Sequence, residues 1–289
     1  MTTPREPLEA LFDAPTLDAW RAQVDAALKG ADFERTLVKP TLDGIAIQPL
    51  YTQAPAAPTG LPGLAPFTRG SAAAPRVDAR VLHASPGLAA EHREILTDLA
   101  RGADSIHLRV GTPNRDGLAI HRLHDFEREL QGIDLARTPM ELDAGPFGVA
   151  AAALYVAAVR RTENARPARG GGFGVDPLGT IAAEGCLTGT LADALARLGR
   201  LGGWTHARDF DWVWRAATVD TGVYHLAGAT DAQELAYALA TGVEYLRALG
   251  EHGGLDAAHA NGQIAFTLSL GAEFFQQIAK LRAARRLWA

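Results

Sequence analysis

Apolar and polar positions along this chain fall into two regimes. Between residues 16 and 29, Leu17, Trp20, Val24 and Leu28 recur at steps of three and four, the spacing that gathers them on one helical face. Gly30 follows as a stop signal. From there to about Gly70 no period persists. Prolines at 49, 55, 58, 62 and 66 exclude a helix and argue against a central strand. Two readings of this stretch stand side by side: a surface linker, or an arm lying along a partner.

From about Val77 short β-like runs alternate with amphipathic helical patterns. The runs predict strands over 79–83, 105–110, 138–142, 171–175, 213–219 and 264–270. Helices are expected over 89–101, 120–130, 147–161, 187–199, 232–249 and 273–287. The fifth helix is the clearest: Leu235, Leu239, Val243 and Leu246 share a face, with Asp231 placed as its N-cap. The last strand alternates through Ile264, Phe266, Leu268 and Leu270. Six successive strand–helix units imply an α/β fold with a parallel sheet. An open doubly wound sheet is satisfied with six. A (β/α)8 TIM-type barrel needs eight, so a barrel reading leaves it incomplete, with two open edges for something else to cover.

The 289 residues suit one large domain or two small ones, and 47% hydrophobic with 21% charged residues is an ordinary globular balance. A net charge of −5 gives no electrostatic footprint for nucleic acid or an anionic membrane. No run of about 18 apolar residues suggests a membrane span, and residues 1–9 are too polar for a signal peptide. The lone Cys186 cannot form an internal disulfide, which fits a cytoplasmic protein, and it reads as a buried small hydrophobe.

Phosphate-loop, zinc-protease, paired CxxC and GxSxG motifs are all missing. The tract Gly170-Gly171-Gly172-Phe173-Gly174 sits at a strand, but Asp176-Pro177 intervenes before any helix, so it reads as close backbone packing or a ligand-lining turn. His121 and His124, three apart on an expected helix, read as a solvated face rather than metal ligands. Tyr224-His225 is the sharper candidate. It follows a strand and precedes Gly228, where a barrel would aim side chains at its mouth; a histidine there could serve as an acid or donor near neutral pH. A histidine simply packed in a loop is the other reading.

Four stretches together resemble the methylmalonyl-CoA mutase family. They are TLDGIAIQPLY at 41–51, LPGLAPFTRG at 61–70, YHLAGA at 224–229 with ELAYALATGVEY at 234–245, and FFQQIAKLRAARRLW at 274–288. The resemblance covers almost the whole chain and is strongest toward the small, non-catalytic type of subunit. It implies a TIM-type barrel cut to about six units over 71–289, preceded by a helix and subunit-interface arm over 1–70. It further implies an adenosylcobalamin-dependent rearrangement of methylmalonyl-CoA and succinyl-CoA.

Departures from the family pattern shape the rest. After Thr68-Arg69-Gly70 the catalytic type carries an aromatic run, whereas SAAAPRVDAR stands at 71–80 here. By resemblance, Thr68, Arg69 and Arg80 are candidate substrate or CoA-binding residues. Tyr224 and His225 match the catalytic pair, as a working or vestigial site. The cobalamin signature DxHxxG is absent, so adenosylcobalamin is expected at the level of a complex and not on this chain alone. The expected partner is a catalytic mutase subunit in a heterodimer, with self-association as the other possibility. Two rival functions stand beside this one: a catalytic barrel working with a separate cobalamin-binding chain, and a CoA-thioester binding module.

Overall fold

A computed structural model describes residues 16–52, 60–74, 77–162, 167–207 and 214–289. Pro55, Pro58 and Val213, used in the readings above, lie outside them. The chain divides into two compact units, Met1–Pro58 and Thr59–Ala289.

The first unit holds helices α1 (Leu17–Leu28) and α2 (Phe33–Leu37) and a hairpin of β1 (Lys39–Pro40) and β2 (Ala46–Ile47). Thr16 caps α1 by accepting from the Ala19 N–H at 3.1 Å, and left-handed Lys29 and Gly30 end it. Trp20 packs edge-on against Phe33 at 6.3 Å, and the Arg21 guanidinium lies 3.7 Å above the same ring. The periodic stripe therefore has one aromatic partner, and no α1 residue is buried.

The second unit is six consecutive strand–helix repeats. Strands β3 (Arg80–His83), β4 (Ser105–Arg109), β5 (Met140–Asp143), β6 (Gly171–Val175), β7 (Trp214–Asp220) and β8 (Ile264–Thr267) pair in sequence order, all parallel. Helices α3 (Leu88–Ala100), α4 (Leu123–Glu129), α5 (Gly148–Arg161), α6 (Pro177–Glu184), α7 (Leu191–His206), α8 (Gly222–Leu226), α9 (Asp231–Gly253), α10 (Ala257–Gly262) and α11 (Phe274–Trp288) complete the connections. This is the TIM-barrel arrangement for six units. Among the described residues β3 and β8 are edges.

The core lies between the sheet and its helices. Ile106, Leu108, Met140, Leu142 and Phe173 are buried on that side. Trp214 stacks on Tyr155 of α5 at 4.6 Å and tilts against Phe173 at 5.0 Å, tying three repeats together. The alanine-rich α5 buries Ala151, Ala152, Tyr155, Val156, Ala158 and Val159, because small side chains let a helix approach the sheet closely. No described helix is long and apolar enough to cross a membrane.

Several sequence expectations are corrected. Asp176-Pro177 does not separate the glycine tract from a helix. It opens α6: Asp176 accepts from the Gly179 N–H at 3.0 Å and Pro177 takes the first helical position, where a missing N–H costs nothing. The helix expected over 187–199 begins later, at Leu191, because Thr190 and Asp193 form a capping box there, and it runs on to His206. Asp231 is not the cap of α9; Thr230 is, its hydroxyl accepting from the Gln233 N–H at 3.3 Å. His121 lies outside α4, where its N–H is taken by Asp125 at 2.9 Å. Strand β8 stops at Thr267, so the alternation through Leu268 and Leu270 continues beyond the paired segment. Cys186 is exposed rather than buried, since left-handed Gly185 ends α6 just before it.

Candidate functional site

Alternate residues of the strands point away from the apolar core into a cavity of about 430 Å³. TIM barrels ordinarily fill this space with branched apolar side chains. Here it is polar. Strand β3 contributes Arg80 and Leu82, β4 contributes His107, and β5 contributes Glu141 and Asp143. Arg215, Thr218 and Asp220 come from β7. Strand β6 makes room with three glycines in five residues: a Cβ on Gly172 would sit 2.5 Å from the Glu141 carboxylate, and one on Gly174, at φ 59°, would overlap the Leu142 carbonyl oxygen.

Two charge systems occupy the cavity. Toward the N-terminal ends of the strands, Arg80 donates from Nε to the Ser105 hydroxyl at 2.9 Å and from Nη2 to the Gly170 carbonyl at 2.9 Å, and lies 3.4 Å from Glu141. Glu141 also accepts from Thr218. Burial pushes its carboxyl above the usual range, against the pull of Thr218, Arg80 and Arg215. At the C-terminal ends, Asp143 accepts from Arg109 at 3.1 Å and from Arg115 at 3.0 and 2.6 Å. Burial alone would raise Asp143, but the two guanidiniums outweigh it and hold the carboxyl low. Arg115 also reaches Glu184 of α6 at 3.5 Å. His107 sits between the two systems, its Nε2 buried without a hydrogen bond, and burial lowers its affinity for a proton.

Asp176 forms a third, adjoining cluster. It takes the Tyr245 hydroxyl and the Asp220 N–H at 2.9 Å, in addition to Gly179. Burial raises its pKa to about 6, with the three donors opposing the rise. The sign follows from linkage: unfolded Asp releases its proton near pH 3.8, whereas the folded group holds it to about 6. Its stabilising contribution is complete below the lower value and declines across that window, by about 1.4 kcal/mol per pH unit and about 3 kcal/mol in all. Above pH 6 it is flat. Denaturant titrations of the wild type and Asp176→Asn between pH 4 and 6.5 should show this slope lost in the variant; equal slopes would refute it.

Of the residues singled out in the sequence, Arg80 enters the cavity. Tyr224 and His225 follow Val223, which lines it, on α8, but neither is among the lining residues. The Tyr224 ring packs on Tyr237 at 4.8 Å. His225 Nδ1 lies 3.4 Å from Glu234, a fully buried carboxylate that Lys280 of α11 also contacts at 2.6 Å. Thr68 and Arg69 sit in a turn closed by the Gly63 N–H on the Gly70 carbonyl at 2.9 Å, and neither lines the cavity. Sequence reading missed His107, Arg109, Arg115, Glu141, Asp143, Asp176 and Arg215. For His107, Arg109, Glu141 and Asp143 the signal was the alternation of charged with apolar residues inside parallel strands, in Ser-Ile-His-Leu-Arg at 105–109 and Met-Glu-Leu-Asp at 140–143, where continuous apolar runs are the norm.

Fold and site together define a TIM-barrel-type α/β protein whose strand-lined interior carries internally paired charges. The family model for methylmalonyl-CoA mutase matches residues 94–289, and the chain belongs to that family. It is 40% identical over 294 residues to the methylmalonyl-CoA mutase small subunit of Streptomyces virginiae, covering 98% of this chain and 46% of that relative. It is 34% identical to the small subunit of Propionibacterium freudenreichii subsp. shermanii, covering 96% and 44%. With the Streptomyces virginiae large subunit the identity is 30%, over 94% and 40%. The chain thus spans less than half the length of the curated relatives it matches.

Proposed function

We propose that this chain is the barrel region of a small-subunit-type component of adenosylcobalamin-dependent methylmalonyl-CoA mutase, a partner that supports a catalytic subunit instead of isomerising methylmalonyl-CoA itself. The observation that carries the reading is the self-pairing of the cavity. Arg80 is spent on Glu141, Ser105 and Gly170, while Arg109 and Arg115 neutralise Asp143. A substrate carboxylate or thioester entering there meets salt bridges it must break. The greater identity to the small subunits than to the large one supports the same reading.

The residues present do not fit a corrinoid. A corrin ring already supplies four nitrogens to its cobalt and leaves the protein at most one ligand to give, and the DxHxxG segment that would offer it is absent from this sequence. Cobalamin therefore belongs to this proposal only at the level of the complex, on the catalytic partner. What this chain's own residues do is pack, pair and present a surface. Thr68 and Arg69 belong to that presented surface in this reading, and Arg80 to the structural floor of the cavity.

One observation favours a second reading. Arg215 lines the cavity with no hydrogen bond or ion pair to another described residue, and Tyr224 and His225 follow Val223 of its lining, so a CoA-thioester module or a catalytic barrel served by a separate cobalamin-binding chain has residues to work with. The assay that separates the readings measures isomerisation of methylmalonyl-CoA with adenosylcobalamin, for the chain alone, with a catalytic mutase subunit, and with a cobalamin-binding chain, with association followed by light scattering. Inactivity alone together with a stable heterocomplex is the expected result. Turnover with only a cobalamin-binding chain would overturn it and give Tyr224 and His225 catalytic roles.

A further inference from the structure

Away from the cavity, a second set of titratable side chains is buried where β3, α3 and α4 meet. His83 closes β3 and is 3% exposed. Its Nδ1 lies 3.1 Å from Glu91 of α3, and its Nε2 is 3.8 Å from Asp98. Glu129 ends α4, is 1% exposed, and leaves Oε2 buried with no hydrogen bond. The next α3 residue, His92, uses Nδ1 on the Glu129 backbone carbonyl at 3.2 Å, which brings the end of α4 against α3.

We propose that the Glu129 carboxyl is a proton-operated latch between α3 and α4: protonated, it lies within the packed joint; ionised, it loosens α4 and the preceding loop 111–122, which delivers Arg115 to the cavity mouth. A buried carboxylate without a donor cannot keep its charge cheaply, so it either holds a proton or leaves. Burial acts most strongly on it, and the two charges that bear on it pull in opposite directions, Arg128 more strongly than Glu91. From α3 it meets Glu91, whose like charge adds to the burial. From its own helix it meets Arg128, which partly favours ionisation. The α5 cation Arg161 is engaged by Glu127 at 3.0 Å. Burial, with Glu91 adding to it, outweighs the opposing pull of Arg128 and holds Glu129 protonated up to about pH 7. The mechanical link is direct, because Asp125 at the start of α4 holds the N–H groups of His121 and Arg122 at 2.9 and 3.1 Å, fastening the loop to the helix.

The test is hydrogen exchange of the intact chain, read by mass spectrometry on peptides covering α4 and residues 111–122 and corrected for the intrinsic effect of pH. For a group titrating near 7 when closed and near 4.5 when open, opening should rise roughly tenfold between pH 6 and 8. Glu129→Gln should abolish the rise while keeping the wild-type circular dichroism. A persisting rise in that variant, or none in the wild type, overturns the proposal. Should Glu129→Gln fail to fold, Glu91→Gln must move the midpoint toward lower pH, and an unmoved midpoint is equally fatal. His92→Gln must leave the midpoint in place; its loss there would assign the titration to the imidazole.

Discussion

Gly174→Ala should abolish folding, at a cost above about 4 kcal/mol. Two effects combine. The residue holds φ 59°, a conformation that penalises any Cβ, and the added methyl would overlap the carbonyl oxygen of Leu142 on the neighbouring strand. That second contact is with backbone, so no side-chain rotation relieves it. The two strands would have to separate, breaking the β5–β6 pairing that runs through Glu141 and Gly172. Gly170→Ala is the internal control. It also has positive φ, 93°, but its Cβ would find nothing nearer than Pro139 at 4.0 Å, so about 1 kcal/mol is expected. Equilibrium denaturation followed by far-ultraviolet circular dichroism reads both. A folded Gly174→Ala protein within about 1 kcal/mol of the wild type would mean that β6 does not lie as close to β5 as described.

Lys280→Ala should be the most damaging single change in the last helix, at about 3–5 kcal/mol. The ammonium lies 2.6 Å from Glu234 and 2.9 Å from Asp231, and donates to the Ser269 carbonyl at 2.8 Å. Its side chain is 1% exposed and that of Glu234 fully buried. Removing the cation strands the fully buried Glu234 carboxylate and takes a partner from the part-exposed Asp231. Glu234 is held below the ordinary carboxylate range because Lys280, Thr221 and the Ser269 N–H outweigh its burial, so the variant should also raise its affinity for protons. The companion Glu234→Gln, Lys280→Met removes both ends of the pair. It should recover at least half of the lost stability if an uncompensated charge is the cause. No recovery in thermal or denaturant melts would assign the effect to lost packing instead.

The helices and strands of the second unit were legible because their periods are regular: Leu235, Leu239 and Leu246 announce α9, and the β-rich runs announce all six strands within a few residues. Ends were less legible. Asp176 and Pro177 carry turn chemistry and helix-start chemistry in the same two letters, and only the free N–H of Gly179 decides which applies. The cavity was mostly hidden for a related reason. Asp143 pairs with Arg109 and Arg115, 34 and 28 residues away in the chain, and Arg80 pairs with Glu141 across 61. Such partners meet only through strand register, which no local pattern encodes. Family resemblance reached Arg80, Tyr224 and His225 by a different route, through matched motifs, and for that reason said nothing of the charges around them.

The polar interior of the sheet has a consequence for how the second unit bears load. Where a barrel's centre is greasy, closing the ring stabilises the whole, and an open ring exposes what should be dry. Here charged side chains stand on the inner surface and the main apolar layer lies outside it, between strands and helices, so each repeat is glued chiefly to its neighbours. Within the described repeats, the courses around Tyr155, Trp214 and Phe173, where three neighbours interlock, should be the last to come apart.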